Sequence, residues 1–178
     1  MREIVLVRHA AASGQQAEAP LTAEGRQQAS ALADVLLSLG SQRLIASPFR
    51  RAIESVEPFA RRSGLTIETD QRLVERVLSA RGLSDWRDHL RRSFDDLDYR
   101  LDDGESARAA QERGVAALLA ASAGIQRSVV VTHGNLLALI LRWVDEKVGY
   151  EHWAQLSNPD VFVVQLDGVQ RSFRRAWA

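Results

Sequence analysis

The chain predicts a three-layer α/β sandwich: a mostly parallel central sheet, helices on both faces and a helical lid-like insertion. Three observations carry this reading. Short, branched, almost wholly apolar runs recur along the chain, as strands covered on both faces require. Helical patterns separate these runs, and such alternation makes a parallel sheet sandwiched between helix layers. A length of 178 residues with 46% hydrophobic side chains suits a single domain, residues 1–178, around a sizeable core.

The elements follow in order. Residues 3–7 (EIVLV) read as the first buried strand. Thr22 caps a helix over residues 23–39, with Ala29, Leu32, Ala33 and Leu36 on one face and Gly40 as its stop. Residues 44–46 form a second buried strand. Ser47 and Pro48 then read as cap and first residue of a helix running towards Arg62. Residues 65–69 alternate, which suits a strand nearer an edge. Residues 70–105 hold many charges and no clear strand. Their apolar side chains, among them Leu73, Leu83, Leu90 and Phe94, are too many for a floating linker, so the segment reads as the lid-like insertion. Trp86, Phe94 and Tyr99 are expected in its core rather than around substrate. Helices over residues 107–123 and 136–148 flank a buried strand at 129–131. Strands at 161–164 and 169–174 flank Asp167-Gly168, a hairpin turn signal.

Composition narrows the function. Zero net charge and a pI near 6.9 argue against a nucleic-acid or membrane-surface binder, which would carry a basic excess. The absence of cysteine excludes disulfide scaffolds, thiolate zinc sites and cysteine nucleophiles. Arg8 interrupts the first apolar run too early for a signal peptide, and no run of about 18 apolar residues occurs, so a cytoplasmic protein is expected. The oligomeric state is open, with a homodimer among the options.

Two of the buried strands run into a histidine: Val7 into Arg8-His9, and Val131 into Thr132-His133-Gly134. A third ends at Ser47-Pro48, with Arg50 and Arg51 following. Ligands of open parallel sheets bind at the carboxyl ends of the strands. His9, His133, Arg8 and one or both of Arg50 and Arg51 would therefore meet there as an anion pocket, because guanidinium forks match phosphate oxygens. A zinc site would need three or four ligands, and His89 and His152 lack ligand-like spacing. No metal and no cofactor are expected, and no glycine-rich phosphate loop is present.

These residues resemble the histidine phosphatase superfamily, in the branch close to cofactor-dependent phosphoglycerate mutases. The family's opening Arg-His-Gly is matched by Arg8-His9-Ala10, and its PLTxxGxxQA by residues 20–29 at every fixed position. Its S-x-x-x-R-A-x-x-T/S is matched by residues 47–55, its L-x-E by Leu73-Val74-Glu75, and its GES with a later arginine by Gly104-Glu105-Ser106 and Arg113. Its closing His-Gly is His133-Gly134. The matches keep family order from Arg8 to Asn135.

The resemblance implies a metal-independent phosphatase acting on a small phosphomonoester, with phosphotransferase, phosphohistidine phosphatase and inactive phosphate-binding relatives as alternatives. His9 would be the nucleophile, while Arg8, Arg51 and His133 hold the phosphate oxygens together with Gly134 and Gln15. Glu75 would be the general acid and base, with Glu105 a second candidate. Spacing to Ala52 favours Arg51 over Arg50. Arg113 is expected to be a structural ion-pair partner, and Asn135 the cap of the following helix. Ala10, Ala12 and Gln15 depart from the pattern: Ala10 stands where the family has glycine, and Ala12 and Gln15 where mutases carry Thr or Ser and then Asn. A short connection from His9 to Pro20 and a short chain favour hydrolysis over transfer.

Overall fold

In the computed structural model, which describes residues 1–177, six strands form one sheet in the order β3-β2-β4-β1-β5-β6. β1 (Arg2–Arg8), β2 (Arg43–Ala46), β3 (Ile67–Thr69) and β4 (Arg127–Thr132) are parallel, and β5 (Asp160–Asp167) and β6 (Gln170–Arg175) add an antiparallel hairpin beside β1. Strand alternation divides the apolar residues between two layers. Ile4, Leu6 and Val130 pack with α4 (Ala107–Ala121) and α5 (Gly134–Val144). Val5, Val7, Val129 and Val131 face α1 (Ala23–Leu39) and α2 (Arg50–Ser63) on the other side. Strands buried on both faces are what the uninterrupted apolar runs require.

Register positions the chemistry. Arg8 of β1 lies opposite Thr132 of β4, so the next residues, His9 and His133, leave the sheet side by side. Ala46 of β2 lies opposite Val131, which brings Ser47 out at the same end. Helix α1 starts at the expected cap: Thr22 Oγ1 accepts from the Gly25 N–H at 2.9 Å. A Cβ on Gly25 would lie 2.0 Å from the Ala11 carbonyl oxygen, so this glycine lets α1 press on the loop after the first histidine.

Several boundaries differ from expectation. Helix α2 begins at Arg50 with Phe49 at its cap position, because Ser47 spends its hydroxyl elsewhere. Helix α5 begins two residues early, at Gly134, and ends at Val144. The hairpin turn is Gly168-Val169, with Asp167 still paired to Gln170 and Gly168 at φ +60°. A short helix, α6 (Tyr150–Ala154), is additional.

The insertion contains a 3-10 turn (Gln71–Leu73) and helix α3 (Trp86–Asp95). Leu73, Leu90 and Phe94 are buried in the core of the α4–α5 side. Of the three aromatics expected in the core, only Phe94 is there. Trp86 is 39% exposed and packs edge-on against Trp153 of α6, and Tyr99 stacks on His89. Among the described residues no helix is long and apolar enough to cross a membrane.

Candidate active site

The two strand-end histidines lie with ring centroids 5.1 Å apart. His9 Nδ1 is 2.7 Å from the carbonyl oxygen of Ala10, so this nitrogen carries the proton and donates it. The lone pair therefore sits on Nε2, which accepts from Arg51 Nε at 3.1 Å. Burial, and then the charges of Arg51 and Arg8, push the His9 pKa from 6.5 down to about 3, against the opposing pull of the Ala10 carbonyl. The imidazole is neutral near pH 7, with its free electron pair directed at a guanidinium.

Ala10 does not take positive φ. Its N–H donates to Ser55 Oγ at 2.9 Å, and Ser55 in turn donates to the Arg51 carbonyl at 2.6 Å. This relay orients the carbonyl that fixes the His9 tautomer, and alanine serves it without the strain a glycine requirement would impose.

Arg51 is 1% exposed and also donates from Nη1 to the carbonyls of Gln15 and Gln16, at 3.1 and 2.9 Å. Arg50 points away and pairs with Glu54 at 2.6 Å, so the helix presents Arg51 to the site. Gln15 reaches the cluster through its backbone; its side chain is exposed. Arg8 donates from Nη1 to the carbonyls of Leu156 and Ser157, while its buried Nε has no protein partner. A Cβ on Gly134 would come within 3.0 Å of Arg8 Nε, so glycine allows the start of α5 to lie against that guanidinium. Asn158 holds the His9 carbonyl with its side-chain amide at 2.7 Å.

His133 is fully buried at the cap position of α5. Its Nε2 is hydrogen-bonded with the Ser47 hydroxyl at 2.8 Å, and its Nδ1 is buried with no protein partner. Burial and then the neighbouring His9 and Arg51 hold its pKa well below the usual imidazole value.

Glu75 joins the cluster through the backbone of α5. Its carboxylate accepts from the N–H groups of Asn135 and Leu136, at 2.9 and 3.0 Å, and from its own neighbour Arg76 at 2.9 Å. A carboxylate on free N–H groups at a helix start is favourably placed. Glu75 thus does the capping that the sequence assigned to Asn135, whose side-chain oxygen instead faces Arg76. Glu105 is bound bidentately by Arg113, at 2.7 and 2.9 Å, and Arg113 also holds the carbonyls of Arg72 and Val74. Arg113 is the expected ion-pair partner, and it braces the segment that carries Glu75. Arg76, which the sequence reading passed over, is also buried here.

The assembly is two buried guanidiniums, the half-buried one of Arg8, two neutral imidazoles and one carboxylate at the ends of adjacent strands. Such a set can bind a phosphate, attack its phosphorus from His9 Nε2 and exchange a proton through Glu75. Among the described residues no three His, Asp or Glu side chains gather as metal ligands.

The model of the Histidine phosphatase superfamily (branch 1) matches residues 4–176. A curated protein of Salmonella arizonae named "Probable phosphoglycerate mutase GpmB" is 31% identical over 174 residues, covering 87% of this chain and 79% of its own. A mycobacterial glucosyl-3-phosphoglycerate phosphatase, solved with inorganic phosphate, superposes with a TM-score of 0.77 at 25% identity, covering 98% of this chain and 95% of that one. A phosphoserine phosphatase mutant of Entamoeba histolytica, solved with phosphoserine, shares the fold with a TM-score of 0.78 at 17% identity, over 97% and 95% of the two chains.

Proposed function

Because the chain belongs to the histidine phosphatase superfamily (branch 1), we propose that it is a metal-independent phosphatase hydrolysing small phosphomonoesters through a phosphohistidine at His9. The observation that carries this reading is the tautomer: Nδ1 of His9 is occupied by the Ala10 carbonyl, and the lone pair on Nε2 points into a cluster of cations.

In the first step Nε2 attacks phosphorus and the P–O ester bond breaks, with Glu75 giving its proton to the departing oxygen. Arg51 turns its Nε–H from Nε2 to a phosphate oxygen, alongside Arg8 Nε and His133 Nδ1, and charge is held where it develops. In the second step a water oxygen attacks phosphorus, Glu75 takes the water's proton, and the P–Nε2 bond breaks to release inorganic phosphate. Three backbone N–H groups hold the Glu75 carboxylate in place beside the cluster.

Hydrolysis of an aryl phosphate in EDTA, compared with His9→Ala, tests the proposal. Turnover that survives the chelator and vanishes in the variant is expected; turnover unchanged by His9→Ala would sink the mechanism. Glu75→Gln should slow alkyl phosphates far more than activated aryl phosphates, and equal losses would remove Glu75 from the acid role. The likeness to a protein named as a phosphoglycerate mutase favours a second reading, phosphate transfer on a small acid. Isomerised ester appearing only with a bisphosphate primer would establish it, and free phosphate as sole product would exclude it.

A further inference from the structure

The loop over residues 155–159, between α6 and β5, is gripped from two sides. From β1, Arg8 donates through Nη1 to the carbonyls of Leu156 and Ser157, at 3.0 and 3.2 Å. From the last position of β6, Arg175 donates through Nη2 to the Ser157 hydroxyl at 3.2 Å and to the Gln155 carbonyl at 3.5 Å. Asp160, the first residue of β5, stands between these two arginines. It lies opposite Arg8 in the antiparallel register with β1, and it is fully buried.

A buried carboxylate needs its oxygens filled, and those of Asp160 are. Oδ1 accepts from Arg175 Nε at 2.8 Å and from the Val161 N–H at 3.0 Å. Oδ2 accepts from Arg175 Nη2 at 2.6 Å and from the Ser157 N–H at 3.1 Å. The guanidinium fork ties β6 to the start of β5, and the Ser157 bond ties the loop to both. Ion pairs of this kind add little net stability over apolar groups of the same shape. What this pair does add is position, because the residue it pins is one whose carbonyl receives Arg8. A long arginine side chain gives up rotamer freedom when it is fixed. The loop carbonyls fix Arg8 with Nη1 turned back and Nε left without a protein partner. Burial lowers the Arg8 pKa, while Glu75 and then Asp160 pull it the other way.

We propose that Asp160 and Arg175 are positioning residues for phosphate binding: by locking the 155–159 loop they hold Arg8 with its Nε presented to the phosphate oxygens. This rests on the reading of Arg8 as a phosphate ligand. The antiparallel hairpin beside β1 then does more than extend the sheet. An arginine at its outer edge, with its side chain 43% exposed, sets how firmly the site grips a phosphoryl group.

Calorimetric titration of the full chain with inorganic phosphate tests this without turnover. Arg175→Ala is expected to weaken phosphate binding about tenfold, and Asp160→Asn, which keeps the side chain's shape and removes its charge, by a similar factor. A double-mutant cycle separates positioning from general loosening. With Arg8→Ala already in place, Arg175→Ala should weaken phosphate by less than about twofold, since no guanidinium is left to aim. Equal weakening in the two backgrounds overturns the proposal, and so does an affinity that Arg175→Ala leaves unchanged. Should Asp160→Asn fail to fold, the Arg175 cycle decides alone, because that side chain is partly exposed on an edge strand. Aryl phosphate turnover by the unmutated chain separates this claim from the phosphatase reading. Turnover with a phosphate affinity indifferent to Arg175 leaves the phosphatase standing and removes the positioning role. Phosphate affinity that depends on Arg175 through Arg8, without turnover, keeps the positioning role and removes the hydrolysis.

Discussion

Acidification tests the buried neutral imidazole on which the chemistry depends. In the unfolded chain His9 takes up a proton around 6.5, whereas in the folded chain burial, Arg51 and Arg8 push that uptake down to about 3. Below 6.5 the unfolded state thus binds more protons than the folded one, and stability falls with pH. Between about pH 7.5 and 5.5 the loss from His9 alone is about 1.4 kcal/mol, with roughly 1.4 kcal/mol more for each further unit down to the folded value. Urea unfolding of the unmutated protein and of His9→Gln across this range isolates the effect. The other titratable groups are common to both proteins and cancel in the difference, apart from His133, whose low pKa owes part of its shift to His9. The stability advantage of the unmutated protein over His9→Gln should shrink by about 1.4 kcal/mol from pH 7.5 to 5.5. A difference that stays flat would mean that His9 titrates alike folded and unfolded, and would refute both its burial and its fixed tautomer as the source of a ready nucleophile.

Other perturbations separate residues that lie close in sequence. Arg51→Ala should cost about 100-fold or more in kcat/KM, since it removes a donor at the developing charge, whereas Arg50→Ala, which breaks only the surface pair with Glu54, should cost less than about threefold; steady-state kinetics showing the reverse order would mean the wrong arginine faces phosphate. Ser47→Ala should destabilise the fold by about 1–3 kcal/mol in urea unfolding by stranding His133 Nε2, and should lower turnover as His133 loses its fixed tautomer; full activity would detach the serine from the site. Gly134→Ala places a methyl group 3.0–3.1 Å from three atoms of the Arg8 guanidinium, so inhibition by inorganic phosphate should weaken by about tenfold, and unchanged inhibition would show that Arg8 does not bind phosphate from this position.

What could be read from the sequence follows from how far each signal reaches along the chain. His9 and His133 were legible because each directly continues an apolar strand, and parallel neighbours in register must release their next residues at one end. Arg51 was preferred to Arg50 by spacing alone, and the helix start at Arg50 agrees, since one turns to Glu54 and the other to His9. Ser47 was misjudged because Ser-Pro is a sound local helix-start signal; its hydroxyl is claimed by His133, 86 residues away, and no local pattern records that. Asn135 was misjudged for the converse reason. The start of α5 needed a cap, and a carboxylate from position 75 supplied it, freeing the asparagine amide. Arg76 then follows from those two errors together. Nothing adjacent to Arg76 in sequence marks it as buried, but Arg113 and Glu105 pin this segment against α4 and α5 and carry Arg76 inward with it. The burial of a second cation beside the acid was thus hidden in contacts spanning 29 to 59 residues.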